Sequence, residues 1–398
     1  MPVSGEAHLR KRDQFHARAS RFGDEVLYAT QISGYLVCDR LELDGSDADV
    51  THRSILGRAL AHGQQGVILG PPMLLPRLLL AAKMAALAAI YVAVGHWGLQ
   101  FDPVSRFATI IWPPAGIALA ALLLFGPDLW PGVALGAMIV NLWTGAPFVV
   151  AAGIAVGNTL EALLAWYALQ RIPGFRPSLE RLIDVLGFVG LAAIASTTVA
   201  ATIGVSTLYL GHVVAPGHFA ETWFAWWQGD AIGILIVAAF FLSWIPAIRR
   251  GVQVPTQRIV EAVGLAAALL GMSAFLFQGS FDTNSGLAAF RQPTTLLPLF
   301  IWAALRFGTR GATGATLMVS AAAVWSTVHG NGPFVRTQLH ESLAVLQGFM
   351  SVLAVTCLVL AAVTAERWRA DRERTELFHR ERVVRAYAED MERLRRKE

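Results

Sequence analysis

The chain has 398 residues, of which 55% are hydrophobic and only 15% charged. Soluble domains run nearer about 45–50% apolar and about 25% charged, so the composition points to a membrane protein. The net charge of +4 comes with no basic stripe interleaved with aromatics, which argues against nucleic acid as a partner.

Residues 1–70 are polar and mixed, and read as a cytosolic extension without a fixed fold. The N-terminal "MPVSGEAHLRKRDQF" has no apolar stretch after its basic cluster, so it is not a secretory signal. Cys38 lies in this extension and Cys357 in an apolar run, which excludes a disulfide framework.

Apolar runs begin near residue 74. A membrane span needs roughly 20 residues, and ten candidates follow, at 74–98, 108–125, 129–146, 148–170, 184–210, 222–247, 258–278, 294–308, 311–329 and 341–364. The eighth is short. With both termini inside, the inner loops hold Arg171, Arg176, Arg181, Arg249, Arg250, Arg258, Arg306 and Arg310, and the outer loops only Arg106, Arg291 and Arg336. That bias obeys the positive-inside rule. The expected fold is therefore an all-α polytopic membrane protein, with an integral-membrane domain over 71–365 and a cytosolic helix over 366–398.

Two adjacent prolines, Pro113 and Pro114, stand behind Trp112 at the start of the second run. There the leading N–H groups lack helical partners anyway, so proline is tolerated. Further on, "LLFGPDLWPGVALGAMIVNLW" aligns with "LRFGTRGATGATLMVSAAAVW" at an offset of 182, and both copies run on to Pro-Phe, at Pro147–Phe148 and Pro333–Phe334. An internal repeat of this kind is a transporter feature; chance likeness between apolar runs is the competing reading.

Polar side chains inside spans are costly and usually face a protein interior or a water-filled cavity. Glu161 lies three residues after Asn158, on the same helix face. Asp230 follows Trp226, Trp227, Gln228 and Gly229, and Asn141 interrupts a third run. At about 1.5 Å per residue, Asn141, Asp230, Asn158 and Glu161 lie roughly 8, 12, 15 and 20 Å from the outer face, and Trp112–Pro114 roughly 6–10 Å. Four spans thus offer Trp112, Pro113, Pro114, Asn141, Asn158, Glu161, Trp227 and Asp230 to one outward-facing pocket for an unknown small ligand. The bland reading of the same residues is interhelical hydrogen bonding. No cofactor or metal is expected: His212 and His218 have only Glu221 nearby, and no phosphate loop or nucleophile motif is present.

The last 33 residues carry eleven Lys/Arg and nine Asp/Glu, without Pro or Gly. Leu377, Val384 and Met391 recur every seven residues, with Tyr387 and Leu394 at companion positions. This short seam fits a homodimer through parallel helices, and the charges also fit a solvated single helix.

Taken in order, "IWPPAGIALAALLLFGPDLWPGVALGAMIVNLW", "GNTLEALLAWYAL", "ATIGVSTLYL", "WWQGDAIGILIV", "IWAALRFG", "GPF" and "LVLAAVTAERWRA" resemble the type 1 membrane-associated sensor domain (MASE family) of bacterial signalling proteins, over about residues 75–370. The resemblance implies a multi-pass sensor of the bacterial inner membrane, passing its signal through the C-terminal helix to a histidine kinase or a cyclic-di-GMP module. No H-box, GGDEF or EAL sequence occurs here, so the expectation is a non-enzymatic input domain whose effector is separate or missing. The rival expectation is a secondary transporter or permease using the membrane carboxylates.

Overall fold

Where no water reaches the backbone, its N–H and C=O groups must pair within the chain, and a helix does this locally. All regular structure among the described residues is helical. The structure, a computed structural model, describes residues 74–99, 109–251, 253–277 and 292–395. The expectations for residues 1–70 lie outside this range.

Nine helical elements are described. They are α1 (Leu74–Leu99), α2 (Pro113–Phe125), α3 (Trp130–Trp143), α4 (Phe148–Gln170), α5 (Leu182–Leu210), α6 (Phe219–Arg249), α7 (Thr256–Phe277), α8 (Leu297–Val328) and α9 (Leu339–Arg395). Seven are long and apolar enough to cross a membrane. The other predicted runs differ for local reasons. Residues 108–125 and 129–146 become helices of 13 and 14 residues, separated at Gly126. Residues 294–308 and 311–329 share α8, which breaks at Gly308.

That break kinks the helix. Gly308 has φ 61° and ψ −145°, a region essentially closed to residues with a Cβ. A Cβ on Gly311 would lie 2.3 Å from the Ala303 carbonyl oxygen, a contact that residues eight apart cannot make in one straight helix. The two arms of α8 therefore meet at a sharp angle. Gly126 also has positive φ, at 106°, and ends α2. Both aligned Phe-Gly pairs thus carry a break in the helical backbone. Each copy also closes on a positive-φ glycine shortly before its Pro-Phe: Gly145 (φ 87°) and Gly332 (φ 95°).

Packing centres on α2, which is buried along most of its length. The main core joins it to α5, α6, α8 and α9 through Leu119, Phe188, Ile232, Phe300, Leu346 and Met350. A second cluster packs α1 on α2, α3 and α4 through Leu87, Tyr91, Leu122 and Val133. Small residues set the close approaches, as is usual between membrane helices: a Cβ on Gly132 of α3 would meet the Met84 carbonyl oxygen of α1 at 2.6 Å. The outer face of α3 presents Leu135, Ile139 and Leu142, all exposed. Helix α9 spans 57 residues, and its stretch beyond Glu366 is largely exposed. Side chains of the seam at Val384, Tyr387, Met391 and Leu394 lie outside the described set.

Replacing Gly308 by alanine forces a Cβ into a left-handed conformation and should cost about 1–3 kcal/mol. Gly264 of α7 has open space around it, so Gly264→Ala should be neutral or stabilise by up to about 1 kcal/mol. Thermal midpoints in detergent, falling for the first variant and not for the second, check the kink.

Candidate functional site

From Thr109 to Trp112 the chain lies outside helix, so its backbone groups must find partners elsewhere. They do. The Trp112 N–H donates to the Gly229 carbonyl of α6 at 2.9 Å. The Ile110 carbonyl accepts from Nε2 of Gln347 in α9 at 3.0 Å, and the Ile111 carbonyl from the Thr109 hydroxyl at 2.7 Å. Glycines make this docking close. A Cβ on Gly233 would lie 2.1 Å from the Trp112 oxygen, one on Gly229 would lie 2.6 Å from the Thr109 oxygen, and one on Gly116 would lie 2.3 Å from the Gly233 oxygen. Pro113 and Pro114 then open α2 at its first two positions, and the Ala115 N–H reaches back to the Trp112 carbonyl at 3.2 Å. A π-helical turn over Gly233–Ala238 follows directly in α6; such turns often mark functional sites.

The docked segment carries Trp112 onto Tyr91 of α1. The Tyr91 hydroxyl accepts from Nε1 of Trp112 at 3.3 Å and from Nδ2 of Asn158 at 2.9 Å, and the two rings meet edge to face at 6.2 Å. One turn along α4, the Glu161 carboxyl faces the Asp230 carboxyl of α6, and the Trp226 indole lies beside Asp230. Glu161 is 2% exposed and Asp230 1%. Among the described residues no Lys or Arg pairs with either acid. Oδ1 of Asn158, Oε2 of Glu161 and Oδ2 of Asp230 are buried without a partner. A polar cavity of about 10 Å³ lies against Trp112, Asn141, Asn158, Trp226 and Asp230, room for about one water.

Three elements, the 109–112 segment, α4 and α6, thus bring together Trp112, Asn158, Glu161 and Asp230. Asn141 borders the cavity, but its Nδ2 donates to the Ala137 carbonyl of its own helix at 2.8 Å. Pro114 is buried within α2, while Pro113 faces a different, apolar cavity. Trp227 lies elsewhere: its indole donates to the Ile194 carbonyl of α5 at 3.1 Å, and its ring stacks on Trp223. Its neighbour Trp226 takes the place beside Asp230. Room for that indole comes from Gly204 of α5, where a Cβ would approach Trp226 to 2.9 Å. His218 pairs with Glu221 at 3.3 Å on an exposed turn, and no group of three or more His, Cys, Asp or Glu among the described residues is placed to hold a metal.

Sequence reasoning missed Tyr91, Trp226 and Gln347. Gln347 was findable, since a glutamine in "LAVLQGFM" is as costly in a span as Asn158. Trp226 precedes Asp230 by four residues, one helical turn. Tyr91 gave no such signal, because a lone tyrosine in an apolar helix is ordinary.

A second set of contacts joins the start of the charged stretch of α9 to the loop before α5. Oε1 of Glu366 accepts from the Leu182 N–H at 3.0 Å, and Arg369 pairs with the Glu180 carboxylate and donates to the Glu180 carbonyl at 3.3 Å.

Tyr91→Phe removes the acceptor shared by Trp112 and Asn158, leaving buried donors unmatched at about 1–3 kcal/mol. Its thermal midpoint should fall. In Tyr91→Phe/Asn158→Leu the second change should cost less than it does alone, because the amide has already lost its partner; strictly additive losses would contradict the network.

The profile of one protein family, MASE1, membrane-associated sensor domain 1, matches residues 82–367. No curated protein and no solved structure matches the chain.

Proposed function

Because the chain belongs to the MASE1 family of membrane-associated sensor domains, we propose that it is a sensory input domain in which the Tyr91–Asn158–Glu161–Asp230 cluster responds to the stimulus. The observation that carries this reading is the hydrogen bond from Gln347 to the Ile110 carbonyl. It ties the segment bearing Trp112 to α9, the helix that continues into the charged region. A stimulus that changes the proton, water or small ligand held between Glu161 and Asp230 alters the fit of that segment on Gly229 and Gly233. The segment's position is then passed to α9. Such a signal needs two packings with different affinity for the stimulus.

The outward half of the reading follows from charge. The inner-loop arginines support a reading in which the Arg171–Arg181 loop and residues beyond Glu366 are cytosolic in a bacterial inner-membrane protein, with about ten membrane-entering segments and both termini inside. Glu366 and Arg369 hold α9 to that loop, so a shift in α9 changes contacts at the membrane surface. The exposed Leu377 and Phe378 support a homodimer through this helix, with catalysis left to a separate kinase or cyclic-di-GMP effector.

A transporter remains the second reading, favoured by the two facing carboxyls and by the paired Phe-Gly breaks. Proton uptake into proteoliposomes that depends on Glu161 and Asp230 would establish it and displace the sensor.

Fusing the chain to a diguanylate cyclase gives the sensor test. Asp230→Asn should change cyclase output by about fivefold or more, the usual size of an allosteric coupling. Gln347→Leu should remove that dependence, and unchanged output in both would refute the reading. Glu180→Arg should also shift output, and Glu180→Arg/Arg369→Glu should restore it.

A further inference from the structure

The loop between α4 and α5 meets α9 at two points about one helical turn apart. Helix α5 opens at Leu182, and the residue before it, Arg181, has no acceptor to offer the unpaired N–H groups of the first turn. The acceptor comes from another helix: Oε1 of Glu366 in α9 takes the Leu182 N–H at 3.0 Å. A carboxylate suits this place twice over, through the hydrogen bond and through the positive end of the α5 dipole. Three residues on, and so on the same face of α9, Arg369 pairs with the Glu180 carboxylate and donates to the Glu180 carbonyl at 3.3 Å.

The loop is shaped to hold that position. Leu179 has φ 53°, a left-handed conformation that is uncommon for a bulky residue, and its side chain is fully buried in the main core. Glu180, next in the chain, is held from the other side by Arg369. Arg181 donates to the Gly174 carbonyl at 2.7 Å and lies 3.7 Å from the Asp184 carboxylate, which has no exposed surface. One side chain thereby ties the start of the loop to the first turn of α5.

Neither contact is strong alone. The Arg369 and Glu180 side chains are 35% and 44% exposed, and ion pairs open to water contribute little. Together they fit only one setting of α9, because a shift of one residue along a helix moves a side chain by about 1.5 Å and turns it by about 100°. We propose that Glu366 and Arg369 form a register latch: they hold α9 in one rotational setting against the α4–α5 loop, and the latch opens as a unit when α9 turns or slides. Its value for output rests on the sensory reading. The latch itself is a property of the fold and does not.

The test is amide hydrogen exchange at Leu182 in the full chain in nanodiscs, since exchange reports local opening. Glu366→Ala should speed it by about tenfold or more, the size of one hydrogen bond to a charged group. Glu366→Gln, which keeps an acceptor oxygen, should speed it less. The decisive variant is Arg369→Ala, which leaves Glu366 in place: a latch that opens as a unit speeds Leu182 exchange here as well. Arg374→Ala, an exposed charge farther along α9, should leave the rate at the wild-type value, and thermal midpoints show that each variant folds. The proposal is overturned if Glu366→Ala leaves the rate unchanged, if Arg369→Ala does so, or if Arg374→Ala speeds exchange as much as Arg369→Ala. In the cyclase fusion, faster Leu182 exchange in Arg369→Ala with unchanged output would uphold the latch and count against the sensory reading. Changed output with Leu182 exchange unmoved would do the reverse.

Discussion

Everything at the centre of this molecule depends on main chain lying directly on main chain. Four residues, Thr109 to Trp112, lie outside helix just before α2, where each polar backbone group must be matched from outside the segment or by a nearby side chain. Gly229 and Gly233 supply the surface, since any larger residue would hold the segment off by more than a hydrogen bond can bridge. Gln347 supplies the remaining donor from α9. Once the segment is seated, the place of Trp112 follows. Tyr91 then finds its indole donor, and α2 begins at a fixed angle against the π-helical turn of α6. A joint of this kind has no side-chain rotamers to absorb displacement, so the parts move together or not at all.

The acid pair survives at this depth for a related reason. A lone carboxylate in an apolar interior is expensive, and a cation would be the ordinary remedy. Here the remedy is internal: the two acids face each other with an indole beside Asp230, and Asp230 borders room for about one water. The arrangement is satisfied enough to persist and incomplete enough to respond. A fully matched network would be a structural staple, whereas these unmatched oxygens can tell one occupant from another.

Much of this was legible in the residues. The cost of a polar side chain in a span flagged Asn158, Glu161 and Asp230, and depth counting placed them in one layer. The prolines read correctly as a helix start. What could not be read was which tryptophan of the Trp226–Trp227 pair turns inward, because adjacent residues differ by about 100° around a helix and both faces here are apolar. The segment lengths misled for a physical reason as well. Composition counts apolar residues, while Gly126 and Gly308 break the chain through backbone conformation, which hydropathy does not register. The seam of the C-terminal helix stays an expectation.

The shortness of α3 reaches beyond the protein itself. Its 14 residues rise about 21 Å, yet its outer face is as apolar as that of a full span, and hydrocarbon is about 30 Å deep. Were α3 to cross a bilayer, lipid beside Leu135, Ile139 and Leu142 would have to thin, or the neighbouring helices tilt to hide the shortfall. Either response costs a fraction of a kcal/mol for each ångström of mismatch. In that membrane, acyl-chain length would be a variable that the fold's stability feels.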